Sequence, residues 1–116
     1  MIGHQNNSAD LDYHLSQLER PGFFLGFDRI GSILGPGAED CLIELIRKGY
    51  ADRLMLSHDF IGVWLGRPMD FGSAGAEWYP TYIHKKLIPK MKAAGVTDSQ
   101  IDAMLVHNPR RLFTGE

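Results

Sequence analysis

The feature that most constrains this chain is a short apolar run that stops at an ionisable residue and then recurs. Leu54-Met55-Leu56-Ser57-His58-Asp59 is the sharpest instance, and Phe23-Phe24-Leu25-Gly26-Phe27-Asp28 is the second. Ile2-Gly3-His4 is a shortened third. Asp28 and Asp59 lie 31 residues apart, close to the ~30 residues of one strand–helix–strand unit. Strands that are apolar on both faces belong to a buried parallel sheet. Such sheets present their chemistry at the C-terminal ends of the strands. The chain therefore reads as α/β, in the order β–α–β–α–β–loop–α–α.

Local signals fill in that order. Ser8 is read as the N-cap of a helix with Leu11, Leu15 and Leu18 on one face, ended by Pro21-Gly22. Residues 31–37 form a loop bearing glycine and proline. The next helix turns Ala38, Leu42, Leu45 and Ile46 inward and stops at Gly49. Residues 60–79 are rich in glycine and aromatics without a clean period, and loops this long in a compact domain are usually functional. Ile83, Leu87, Ile88 and Met91 mark one helical face, on which Pro89 predicts a kink or a new helix start. Thr97-Asp98-Ser99-Gln100 is a capping box that opens a last helix carrying Ile101, Met104 and Leu105. No further strands that could complete a closed barrel are found, and three strands cannot close, so the sheet keeps two open edges.

Composition narrows the class. A chain of 116 residues is enough for one ordinary domain, and 44% hydrophobic with 22% charged residues is a globular balance. The net charge of −2 gives no basic footprint for nucleic acid. Lys85, Lys86, Lys90 and Lys92 read as a solvated helix face. The single cysteine, Cys41, excludes an intramolecular disulfide and any zinc site built on several thiolates. Its apolar neighbours predict a buried, inert thiol. No apolar run reaches the ~18 residues of a membrane span, and the N-terminal residues carry no apolar signal core. The expected location is the cytoplasm.

Asp59 is the first candidate for chemistry. A carboxylate just past a buried strand is held rigidly. It can bind a metal ion or act as a general base toward activated water, or simply cap a loop. His4, at a parallel strand end, is either a metal ligand or structural. Asp28 and Arg29 are expected to form an ion pair with each other, the alternative being that Arg29 reaches a substrate oxygen. His58 points to the other side of its strand and is read as structural. Phe60, Ile61 and Trp64 line the mouth of a pocket beside Asp59 or form a satellite core. Dinucleotide, Walker and serine-elbow motifs are absent. Residues 31–37 are the one glycine loop after a strand, and Pro36 removes a backbone donor there.

Several segments together resemble the phosphotriesterase family of the amidohydrolase superfamily. They are Ile2-Gly3-His4, Phe27-Asp28-Arg29, Gly49-Tyr50-Ala51-Asp52, Met55-Leu56-Ser57-His58-Asp59, Val96-Thr97 and Asn108-Pro109-Arg110-Arg111-Leu112-Phe113. The resemblance implies part of a (β/α)8 TIM barrel, strands six to eight with their helices, as a single partial domain over residues 1–116. It implies a metal-dependent hydrolase in which hydroxide at a binuclear zinc centre attacks a small-molecule ester, lactone or phosphotriester.

The resemblance also assigns roles. It makes His4 the strand-six ligand of the more exposed metal. It makes Asp59 the strand-eight ligand of the more buried metal, able to accept a proton. Arg29 matches the arginine of the lactonase-like branch. Residues 60–70, from Phe60 to Asp70, match the loop that shapes the leaving-group pocket, with Trp64 as a substrate contact. Gln5-Asn6-Asn7 lacks the carboxylate that family members commonly carry after the strand-six histidine. The chain supplies two of six expected ligands, so the isolated piece is expected to be inactive or nearly so. The alternative is a non-catalytic α/β module that self-associates through its open edges as a homo-oligomer.

Overall fold

The computed structural model describes residues 1–32, 35–68 and 78–115. Its centre is a small parallel sheet. Strand β1 (Leu25–Phe27) pairs with β2 (Leu54–Leu56) in the register Leu25 to Leu54, Gly26 to Met55 and Phe27 to Leu56. Ile2 bridges to Leu25 from the other side of β1, donating its N–H to the Phe24 carbonyl at 2.8 Å and accepting from the Gly26 N–H at 2.8 Å. β1 is thus central, and every residue of both strands is buried. That burial is why the runs read apolar without alternation. Among the described residues neither outer side of the sheet carries a further strand.

The helices cover the sheet through the predicted positions. Helix α1 (Leu11–Leu18) is capped by Asp10, whose Oδ1 accepts from the Tyr13 N–H at 3.1 Å. Ser8 is not the cap. Its Oγ instead accepts from the Asp10 N–H at 3.1 Å and so aligns the capping residue. Helix α2 (Ala38–Arg47) buries Ala38, Leu42, Leu45 and Ile46 as expected, and Gly49 at φ +92° supplies the left-handed stop. Gly35 precedes α2 where a Cβ would lie 1.6 Å from the Asn6 carbonyl oxygen, so this crossing admits no side chain. The apolar cluster joins Leu25, Phe27, Leu54 and Leu56 of the sheet to Leu42, Leu45, Leu87, Met91 and Met104 of the helices.

Two later helices share one construction. A π-type turn, Ile83–Leu87, runs into α3 (Ile88–Ala93), and a second, Ala103–His107, runs into α5 (Asn108–Thr114). In the first, the Ile88 N–H donates to the Ile83 carbonyl. In the second, the Asn108 N–H donates to the Ala103 carbonyl. Pro89 and Pro109 stand just after these turns. A proline inside a helix lacks a donor and crowds the preceding turn, and a widened turn relieves that crowding. Pro89 therefore begins a new helical segment, one of the two expected outcomes. Between these helices, α4 (Asp98–Asp102) opens on the capping box, with Thr97 and Gln100 bonded reciprocally.

The segment after β2 contains a feature that sequence periodicity did not disclose. Strands β3 (Val63–Trp64) and β4 (Arg67–Pro68) form an antiparallel hairpin about Leu65 and Gly66, both at positive φ. It is a separate two-stranded sheet and does not extend the parallel one. Cys41 is buried, and that burial, together with Asp10 and Glu44, pushes its thiol pKa up. Lys85, Lys86, Lys90 and Lys92 are exposed. Lys90 pairs with Glu39 and Asp40, and Lys92 with Asp98. No described helix is long and apolar enough to cross a membrane.

Candidate functional site

The candidate residues come from three parallel chain segments, each leaving the sheet in the same unusual way. His4, Arg29 and Asp59 have φ of 59°, 57° and 45°. A left-handed backbone at a non-glycine residue costs about 1–3 kcal/mol and persists where the surroundings hold it. At His4 the restraint is visible. Its N–H donates to Asp28 Oδ2 at 3.0 Å, and the following turn is tied down by buried polar groups. Gln5 Nε2 donates to the Gly3 carbonyl at 3.1 Å, and Gln5 Oε1 lies 3.0 Å from Nδ1 of the fully buried His14. The Nε2 of His14 lies 3.0 Å from the Ser8 carbonyl.

The side chains then form a continuous line. His4 Nδ1 lies 2.7 Å from Asp28 Oδ1. His4 Nε2 lies 3.4 Å from an Arg29 terminal nitrogen, Nη2. Arg29 Nε donates to Asp59 Oδ2 at 2.8 Å. The expected pair between Asp28 and Arg29 is therefore corrected: Asp28 pairs with His4, and Arg29 pairs with Asp59. Adjacent residues at a strand end project to different neighbours, so sequence adjacency is a poor guide to partnership here. Asp28, at 14% exposed, is the sheltered end of this line, and His4, at 51%, is its most exposed member.

His4, Asp28 and Asp59 each present a ligand atom within 4.8 Å of the others. His4 and Asp59 offer donors of the kinds that zinc and similar divalent metals take, while both oxygens of Asp28 are engaged by His4. Asp28 takes the His4 Nδ1, which leaves Nε2 as the available ligand atom. A carboxylate on the distal nitrogen is the usual companion of a metal-binding histidine. The residues present thus fit a metal. Asp28 is the member that sequence reading passed over. Its signal was present, since it ends its apolar run as Asp59 does.

The neighbours sort more plainly. His58 Nε2 accepts from the Ile83 N–H at 3.2 Å, and its carbonyl accepts from Trp78 Nε1 at 2.7 Å, a structural role. Burial lowers the His58 pKa, with His84 adding to the effect. Phe60 is half-buried and meets Trp78 edge-on at 6.1 Å between ring centroids. The backbone of Trp64 lies in the hairpin, while its side chain and Asp70 lie outside the described residues.

Comparison with known proteins gives this arrangement a family. The model of the phosphotriesterase family matches residues 1–113. The chain belongs to the phosphotriesterase family. It is 37% identical over 117 residues to the phosphotriesterase homology protein of Mycobacterium tuberculosis, covering 97% of this chain and 36% of that protein. It is 30% identical to the aryldialkylphosphatase of Saccharolobus solfataricus, covering 98% of this chain and 38% of the relative. A variant of the organophosphorus hydrolase from Deinococcus radiodurans superposes with a TM-score of 0.87 at 38% identity, over 97% of this chain and 37% of that one. The chain thus spans under two-fifths of the length of these relatives. Its phosphotriesterase-family structural neighbours are TIM barrels, of which this α/β unit matches one part.

Proposed function

We propose that this chain is the C-terminal part, strands six to eight, of a metal-dependent hydrolase of the phosphotriesterase/lactonase type. The convergence of His4, Asp28, Arg29 and Asp59 at the ends of parallel segments carries the reading. Barrel enzymes assemble their sites from the ends of different strands in this way. In the intact site two divalent ions, zinc by family resemblance, would be held partly by His4 and Asp59. Bound metal supplies Lewis-acid activation of the ester oxygen and a lowered pKa for water.

The chain's own residues do the rest. His4 offers Nε2 as a ligand while Asp28 fixes the ring. Asp59 offers a carboxylate oxygen and accepts a proton. Arg29 directs N–H donors at a phosphoryl or carbonyl oxygen. By family resemblance Phe60 and Trp64 are assigned to contact with the substrate's leaving group. The substrate is a small ester, lactone or phosphotriester.

Alone, the chain supplies about one protein ligand per metal, fewer than zinc sites normally have, so turnover by it is expected to be negligible. Zinc titration calorimetry on the chain and on Asp59→Asn tests the ligand assignment. Loss of binding in the variant supports it, and equal binding overturns it. A zinc-dependent ester-hydrolysis rate in this chain that vanishes with Asp59→Asn would overturn the expected inactivity.

Self-association is the second reading. The observation favouring it is an apolar groove lined by Met1, Met55, Leu56, Leu112 and Phe113. Phe113 in it is 85% exposed. A discrete oligomer on size-exclusion chromatography, unchanged by chelator, supports that reading, and a monomer removes it.

A further inference from the structure

The guanidinium of Arg29 lies between the two residues that the proposed function assigns to metal. Its Nε is 2.8 Å from Asp59 Oδ2, and its Nη2 is 3.4 Å from His4 Nε2. A guanidinium has only donors. With the His4 Nδ1 facing Asp28, a proton on Nδ1 leaves the lone pair of the ring on Nε2. The same lone pair cannot serve both an arginine N–H and a metal ion. We propose that Arg29 is an internal stand-in for the cation of this site, and that a divalent metal enters only as the guanidinium withdraws from His4.

This inference rests on the metal-site reading above and adds a rule of order to it. Arg29 has somewhere to go. It lines a cavity that also contains Ser32, Glu39, Asp40 and Lys90, where a displaced guanidinium would share two carboxylates that already pair with Lys90. Metal entry then frees the arginine from His4 and makes its donors available to a substrate oxygen. The arrangement orders the steps, metal first and substrate second. It also leaves the metal-free site electrically balanced, because Asp59 keeps a cationic partner. The cost is affinity. A positive charge within a few ångströms opposes a second one, and both partners are solvent-exposed enough for this to be moderated by screening.

The test is cobalt(II) titration of the 116-residue chain and of three variants, read by calorimetry and visible absorbance at low ionic strength. Arg29→Gly removes the guanidinium and suits the left-handed backbone. Arg29→Met removes the charge and keeps most of the stem, and Arg29→Lys keeps the charge. The expected result is roughly tenfold tighter cobalt binding in the glycine and methionine variants, with the lysine variant near the parent. Circular dichroism identifies a variant that fails to fold, and the other uncharged variant then decides. Equal or weaker binding in the folded uncharged variant, with the parent binding, overturns the role of Arg29 and leaves the metal site standing. Absence of cobalt binding in all four proteins overturns both. Binding only in the uncharged variants supports both.

Discussion

Asp28 holds His4 at two points, accepting its backbone N–H at 3.0 Å with Oδ2 and meeting its ring Nδ1 at 2.7 Å with Oδ1. One carboxylate thus fixes both the left-handed backbone at His4 and the direction in which the ring presents Nε2. Asp28→Asn keeps an oxygen for the backbone contact and removes the negative charge behind the ring. Metal affinity is expected to fall roughly 10–100-fold with little change in the unfolding midpoint. Calorimetric titration beside urea denaturation separates the two effects, and a collapse of stability with unchanged affinity would assign Asp28 to folding alone.

Asn108 is fully buried and donates through Nδ2 to the carbonyls of Ala51 at 2.8 Å and Leu54 at 2.6 Å. It fastens the last helix to the start of β2, on which Asp59 depends. Asn108→Ala leaves two buried carbonyls short of a donor and is expected to cost about 2–3 kcal/mol. Urea denaturation measures this, and a cost below about 0.5 kcal/mol would mean that water replaces the amide.

The Thr97 hydroxyl accepts from the Gln100 N–H, and Gln100 reaches back to the Thr97 N–H. Thr97→Ala is expected to lose about 1 kcal/mol, whereas Thr97→Ser stays near the parent. Thermal unfolding of both variants checks this. Equal losses would point to the threonine methyl instead of the cap.

Burial, with Asp10 and Glu44 nearby, pushes the Cys41 thiol above its ordinary value of 9.0. The folded state therefore favours the neutral thiol. The stability this contributes is complete below pH 9 and is lost as pH rises through the higher folded-state value. At pH 8 a disulfide reagent is expected to label the folded chain far more slowly than the urea-unfolded chain. Cys41→Ala is expected to flatten the alkaline limb of the stability profile. Rapid labelling without denaturant would place the thiol at an accessible site.

What was legible in the sequence was what neighbours in sequence decide. The apolar runs disclosed the buried strands. The spacing of Ala38, Leu42, Leu45 and Ile46 disclosed the inner face of α2, and Thr97 with Gln100 disclosed a cap. The cap of α1 was misassigned because Ser8 and Asp10 are both capping residues two positions apart, and the choice turns on backbone direction at Asp10. The partners of Asp28 and Arg29 were not legible because they depend on stagger between strands. Ile2, Leu25 and Leu54 are level in the sheet. His4 is two residues beyond that level, Arg29 four and Asp59 five. That stepwise offset sets Asp28 against His4 and Arg29 against Asp59, and no pattern within a single strand encodes it.

The widened turns before Pro89 and Pro109 have an effect beyond tolerating proline. Ile83, Leu87 and Met91 recur every four residues, and all three are buried. On a regular helix, each step of four overshoots a full turn by about 40°, so an apolar stripe with that spacing would wind away from the sheet. A turn with an extra residue rotates the chain less per residue and cancels part of the overshoot. Met91 is thereby returned to the core, and Asn108 reaches the carbonyls at the base of β2 by the same correction. The two prolines mark the places where the helix phase is reset against the sheet.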